Sequence, residues 1–458
     1  MKKLLVLLFS AVLVLCFGTA CAPRINSEKG DGDYEVNLEV DPEIEETLRI
    51  LVPSNDGDLE RGYIEALIPG FQQKFKNVTV ELDRRTISDE KYAESIGNAI
   101  SSSNPPDLYY TNTVFYYYLV AKNCIVNLEP YYRASEEAGI FDIDADFYSA
   151  FFDMSAYNGK RYVVPRSADS VVCYYNKDIL TAAGINPATD ERFSNDWSWS
   201  NLISVCKDLS DYFKSAEGKA AGYGDAYALM GEFDWEAVFN ALMSSYGSEA
   251  FGADGSVAID SAETREMAEM LHGLKAEGRV IRPSDSRSTF LNGKTAFLFS
   301  SKGVSNIDKN VQIQGKFDVL PFPLIGENAQ VGCGFAGWGI STKLDGAKRD
   351  LAWQFLNYMI SNEGQMALIN AGLSTPPIRV DLAEEKSWAK GYSSLNLDAF
   401  LVHEPRKISS KFFTLHDPGC TFDTLMALQD FMKNLTESDK SVEWCIQNAS
   451  DDLEEAIG

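Results

Sequence analysis

Histidine is scarce in this chain. His272, His403 and His416 are the only three in 458 residues, and they stand far apart. A zinc site needs ligands clustered a few residues apart, so this spacing offers none. Eight cysteines occur without a C-x-x-C pair, which removes the usual thiolate-metal and redox motifs. No G-x-S-x-G elbow and no P-loop is present. Basic charge is also short, with 41 Lys and Arg against 67 Asp and Glu, a formal −26. Such a surface repels nucleic acid, whose binding is dominated by Lys and Arg on phosphates, and reads as a solvated coat that keeps the protein soluble. Beyond the first twenty residues no segment resembles a transmembrane helix. What remains is a chain with 45% hydrophobic residues, long enough for two or three domains of about 150 residues each.

The N-terminus carries the clearest signal. Met1-Lys2-Lys3 precedes an apolar run from Leu4 to Phe17, then Gly18-Thr19-Ala20-Cys21. A short basic region, a short apolar core and small residues before a cysteine form an export signal. Cys21 stands where bacterial lipoproteins carry a diacylglycerol anchor. Gly18 occupies the position where a lipobox usually has Leu, and Gly18 and Ala20 also suit an ordinary signal peptidase that releases a soluble protein. Removal of residues 1–20, which hold Lys2 and Lys3 and no acid, takes the charge from −26 to −28. Residues 22–46 show hardly any apolar pattern and read as a disordered acidic tether. Cys124, Cys173, Cys206, Cys333, Cys420 and Cys445 lie mostly in apolar contexts, which suit buried free thiols at least as well as disulfides of open connectivity.

From Leu48 onward, short apolar strands alternate with helical stripes, the signature of an α/β architecture. Strand patterns at Leu48–Val52, Val78–Leu82 and Asp107–Tyr110 enclose helical patterns at Ile64–Phe75 and Glu90–Ile100. The middle is more helical, with Ser198 or Ser200 and Ser261 as candidate caps. Strand patterns return at Thr295–Phe299, Phe317–Leu320 and Trp338–Thr342, and helices close the chain. Two apparent motifs fail on context. Gly332-Cys333-Gly334-Phe335-Ala336-Gly337 fits G-x-G-x-x-G, but a strand-like Trp338-Gly339-Ile340 follows where a dinucleotide site needs a helix. A flexible crossing near a binding surface suits it better. Asp142, Asp144 and Asp146 begin like a calcium loop, yet Phe147 holds the glycine position and Asp153 the bidentate glutamate position. No metal or cofactor is expected, and nothing singles out two carboxylates as a glycosidase pair.

Several segments, in order, resemble bacterial extracellular solute-binding proteins of family 1, the sugar-receptor lipoproteins of ABC importers. They are Ile68-Pro69-Gly70-Phe71 to Phe75, Asn104-Pro105-Pro106-Asp107-Leu108, Tyr157-Asn158-Gly159-Lys160-Arg161-Tyr162 to Pro165, Tyr174-Tyr175-Asn176-Lys177, Phe290-Leu291-Asn292-Gly293-Lys294-Thr295-Ala296 and Gly337-Trp338-Gly339-Ile340-Ser341. The resemblance runs from Thr47 to the C-terminus, and Phe297 departs from it where the family usually has Met. It implies a periplasmic-binding-protein-like fold of two α/β lobes with a hinged interlobe cleft. The expected partition is 47–164 plus about 290–335 for the first lobe, and 165–289 plus about 336–458 for the second. The implied function is non-catalytic: a monomeric carbohydrate receptor on the outer face of the cytoplasmic membrane, closing on its ligand and serving a permease. A receptor for another solute, or a surface glycoside hydrolase or lyase, is the alternative.

Sugars offer hydroxyls to planar polar groups and C–H faces to aromatic rings. Asn55 and Asp56 follow the first strand, and Thr111 and Asn112 the third, where open α/β sheets place ligands. Phe115 or Tyr116 could supply an aromatic face. Arg166 follows Pro165 at the crossover and could fork onto a ligand or pair with a carboxylate. Trp235, near a helix start, sits where the family often presents a ligand aromatic. Trp338 lies between glycines at a strand start and is the leading stacking candidate, with Gly337 and Ser301 as further cleft positions. Trp197, Trp199, Trp353, Trp388 and Trp444 are assigned to packing or surface.

Overall fold

A computed structural model describes residues 34–53, 59–85, 92–194, 197–281, 288–401, 407–408 and 420–458. The chain opens with β1 (Thr47–Pro53), α1 (Leu59–Lys74), β2 (Thr79–Arg85), α2 (Tyr92–Ile100), β3 (Leu108–Asn112), α3 (Tyr116–Ala121) and β4 (Val164–Pro165). It continues through β5 (Asp169–Ser170), β6 (Val172–Asn176), α4 (Trp199–Lys214), β7 (Tyr227–Met230), α5 (Glu236–Tyr246), α6 (Ala262–Ala276), β8 (Thr295–Ser300) and β9 (Phe317–Pro321). After β10 (Cys333–Gly334) and β11 (Ala336–Ile340) come α7 (Gly346–Ile360), α8 (Asn362–Asn370), α9 (Thr421–Glu437) and α10 (Val442–Ile457).

Local sequence explains these elements. Leu48, Ile50, Leu51 and Val52 of β1 are fully enclosed, as a parallel strand covered on both faces requires. Tyr63, Ile64, Leu67 and Phe71 of α1 point inward at helical spacing, and Phe71 meets Phe355 of α7 edge-on at 5.1 Å. Ser198 accepts from the Asn201 amide and Ser261 from the Thr264 amide, so each satisfies an orphan donor at the start of α4 or α6. Asp142 does the same for the Asp144 and Ala145 amides, while Asp146 pairs with Arg379. The acidic run is therefore a capped turn.

Two sheets form the two lobes. The first has the order β2-β1-β3-β11-β4, with β1 parallel to both neighbours and β11 antiparallel to β3 and β4. The second has the order β9-β6-β8-β7, with β7 and β8 parallel and β6 antiparallel to β8 and β9. Among the described residues three segments run between the lobes, 166–171, 322–335 and 371–379. The crossings bond to one another. The Ala168 amide donates to Pro376 O at 3.0 Å, the Val171 amide to Gly332 O at 2.8 Å, and β5 pairs antiparallel with β10.

Two expectations are corrected here. The lobe partition of the later chain is corrected for its strands: β8 and β9, within 290–335, belong to the second sheet, and β11 belongs to the first, while α9 and α10 pack with the second lobe. Strand pairing is nonlocal, and periodicity carries no information about which sheet a strand joins. The helices sort in the same nonlocal way, since α7 and α8 pack on α1, and α9 packs on α5 and α6. The tether also ends earlier than expected, because residues 34–46 lie on the first lobe. The Tyr34 hydroxyl donates to Asn127 O at 2.6 Å, the Arg349 guanidinium covers its ring at 3.9 Å, and Gln354 donates to Leu38 O at 2.9 Å. Val40 is buried. Tyr34, Val36, Leu38 and Val40 alternate at strand spacing, a signal hidden among the acids. Cys124, Cys173, Cys206, Cys333 and Cys445 are buried free thiols, and burial pushes the Cys124 thiol up to about 12.

Where β11 meets β4 the backbones are in close approach. A Cβ on Gly337 would lie 2.2 Å from Val164 O. Gly337→Ala should therefore destabilise by about 1–3 kcal/mol, seen as a lower denaturation midpoint. An unchanged midpoint would show that the two strands are not packed this closely.

Candidate functional site

The expected site residues gather at the ends of the two sheets that adjoin the crossings. On the first sheet Thr111 pairs with Gly337 and Asn112 with Ala336, Gly337 faces Pro165 across β4, and Arg166 follows. On the second, Trp235 and Ser301 come just after the carboxyl ends of the parallel strands β7 and β8. Asn55, Asp56 and Cys21 lie outside the described residues, as do His403 and His416.

Their side chains divide into two groups. Asn112, Trp235 and Ser301 are half-buried. Asn112 accepts from the Val114 and Phe115 amides at 3.0 and 2.9 Å, which turns the chain after β3 and sets Phe115. Thr111 and Trp338, by contrast, are enclosed, Trp338 with only 1% of its surface exposed. The Trp338 ring donates its Nε1–H to Leu51 O at 2.9 Å and meets Tyr110 edge-on. In this conformation it braces three strands and offers no face to a ligand. A glycine-flanked tryptophan signals close packing as well as it signals stacking, and sequence alone does not separate the two.

Arg166 is also sealed. Its Nε lies 3.0 Å from both carboxylate oxygens of Glu60, Nη2 lies 2.5 Å from Oε1, and Nη1 donates to Ser167. The guanidinium sits 5.1 Å from the centre of the Tyr63 ring. Burial works against its charge, but Glu60 and Asp169 more than offset that, holding Arg166 above its ordinary value. Gln365 ties the same residue in place, donating to Arg166 O at 3.1 Å and accepting from the Ile378 amide at 2.9 Å. The ion pair thus joins α1 to the first crossing, and Gln365 joins that crossing to the third. Glu60 was not legible as the partner because it lies 106 residues away.

Aromatic side chains that sequence reasoning passed over also lie here. Phe335 of the second crossing donates its amide to Thr113 Oγ1 at 2.7 Å and packs near Tyr116. Phe422 of α9 stacks on Phe115 at 5.3 Å. Two hollows of about 400 and 590 Å³ open elsewhere: one beside α1, Phe141 and Arg379, the other between α4 and α6. Of the crossing residues only Arg379, at the end of the third, lines either of them. Among the described residues no group of three His, Cys, Asp or Glu could hold a metal ion, and no helix is long and apolar enough to cross a membrane.

The sequence profile of bacterial extracellular solute-binding proteins matches residues 66–392. The chain belongs to this family. Among curated family relatives, the sn-glycerol-3-phosphate-binding periplasmic protein UgpB of Escherichia coli (strain K12) is 24% identical over 203 residues, 43% of this chain and 44% of that protein. The arabinooligosaccharide-binding protein of Halalkalibacterium halodurans is 21% identical over 222 residues, 46% of each. The chain spans about half the length of the curated relatives it matches. Solved structures extend the likeness of fold over nearly the whole molecule. The ABC substrate-binding protein Lmo0181 of Listeria monocytogenes, in complex with cycloalternan, aligns with a TM-score of 0.70 at 18% identity, covering 91% of this chain and 100% of that one. UgpB of Mycobacterium tuberculosis, in complex with glycerophosphocholine, aligns with a TM-score of 0.68 at 16% identity, covering 90% and 98%. The solute-binding fold of two lobes is therefore shown.

Removing one partner of a buried ion pair strands the other charge. Arg166→Ala should cost about 3–5 kcal/mol of stability. The double replacement Glu60→Gln with Arg166→Met should recover most of it. A double variant as unstable as the single one would contradict the pairing.

Proposed function

We propose that the chain is the substrate-binding receptor of an ABC importer. It takes a carbohydrate, on this reading an oligosaccharide, between its lobes and presents the closed form to a membrane permease. The observation that supports the reading is that Asn112 ends β3 and that Trp235 and Ser301 follow the carboxyl ends of β7 and β8, where open α/β sheets place ligands. Crossings between lobes allow hinge closure, and a ligand touching both lobes shifts the equilibrium by its differential affinity for the closed state. Asn112 and Ser301 offer hydrogen bonds to hydroxyls, and Trp235 offers a ring. Asn55 and Asp56 belong to the same proposal through their place after β1. Trp338, Gly337 and Thr111 are enclosed and brace the first sheet, and Arg166 holds the hinge instead of gripping the ligand.

Acting as a monomer, the receptor would work on the outer face of the cytoplasmic membrane, anchored by a lipid on Cys21. No catalytic step is assigned to it. A non-sugar solute in the same cleft is the second reading. It is favoured by the character of Asn112, Ser301 and Trp235, since a half-buried amide, a hydroxyl and a ring recognise other polar solutes as well.

Thermal unfolding against a panel of mono- and oligosaccharides tests the reading. A ligand at a hundred times its dissociation constant stabilises by about 2.7 kcal/mol, and it should be recovered unaltered. Silence across the panel favours another solute, whereas consumption of the ligand makes the protein an enzyme. For the anchor, Cys21→Ser should move the protein from the membrane fraction to the soluble one. Equal fractionation would refute lipidation.

A further inference from the structure

The crossings explain how the lobes stay joined, and beside the second of them, where Thr113 and Phe335 exchange hydrogen bonds, the lobes also touch. One contact there is made by side chains alone. Phe422 opens α9, whose buried side, including Leu425, Leu428 and Phe431, packs with the second lobe. Its ring reaches over to the first lobe, stacking on Phe115 at 5.3 Å and 29° and meeting Tyr118 at 5.4 Å and 66°. Phe115 is held rigidly to receive it. Asn112 bonds its amide from the end of β3, and the ring itself is 3% exposed.

The same face of α9 continues through Met426, which is 51% exposed, to Lys433. The Lys433 ammonium lies 3.7 Å from Asp234, next to Trp235. One side of this helix thus runs from the first lobe to the loop that carries a candidate ligand aromatic. No motif in the sequence marks it, because a Phe at a helix start is ordinary core material until its partner is known.

We propose that Phe422 is an affinity-determining latch: seated on Phe115 and Tyr118, it stabilises the closed receptor independently of ligand contacts. The inference rests on the receptor reading and adds a residue that need not touch the solute. Its effect follows from population arithmetic. Apparent affinity falls in proportion to the fraction of molecules in the binding-competent form. An aromatic pair of this geometry shifts such an equilibrium by about twofold to tenfold beyond its buried area. The latch leaves the lobes themselves intact, since α9 keeps its other buried residues.

The test is Phe422→Ala in the mature chain, with Phe422→Leu as a partial restoration. Small-angle scattering without ligand should give a larger radius of gyration for the alanine variant. Affinity for whichever sugar the unfolding panel identifies should fall by about twofold to tenfold, with the leucine variant in between. Circular dichroism should show both variants folded. An unchanged radius of gyration, or an affinity within twofold of the parent, overturns the latch. If no sugar binds, the carbohydrate reading has failed, and the scattering comparison still decides the latch by itself.

Discussion

Among the described residues the two lobes share no sheet, so the molecule depends on three crossings that hydrogen-bond to one another. Each crossing must give up regular strand pairing where it leaves a sheet, and a buried amide left without a partner is costly. Here the lost partners are replaced sideways: Ala168 to Pro376, Val171 to Gly332, and β5 to β10. Bonds of this kind run between the crossings themselves. The glycines follow from the same constraint. A Cβ at Gly332 would lie 1.9 Å from Ala237 O, and one at Gly303 would lie 1.6 Å from Ser374 O. These segments pass too close to their neighbours for any side chain.

Charge at the hinge serves geometry. A guanidinium taken out of water is expensive unless it is paired and hydrogen-bonded. Arg166 has Glu60, Ser167 and the Tyr63 ring around it. In return, the start of α1 is fixed to the first crossing. The pair also explains why an arginine in a cleft does not by itself imply an acidic ligand.

Much of this was legible in the sequence where the information is local. Apolar spacing marked β1, α1 and β3, Ser198 and Ser261 marked their helix starts, and the glycine run at 332–337 read as a crossing because a strand followed it. Partnership between distant residues was not legible. Nothing within residues 295–321 tells which sheet they join, and nothing near Arg166 points to Glu60. Trp338 showed its identity but not its direction, and only the Leu51 carbonyl reveals that it is a brace. The strap at 34–46 was lost for a different reason. Its alternation is short and interrupted by acids, so composition outweighed pattern.

Ligand-driven closure between the lobes is the central claim, and scattering during a titration tests it most directly. Once a stabilising solute is known, its binding should lower the radius of gyration in proportion to occupancy measured by calorimetry. Saturation at full occupancy, with a smaller molecule of unchanged mass, is the predicted result. Calorimetric binding with no change in radius would contradict closure about these crossings and place the solute elsewhere on the protein.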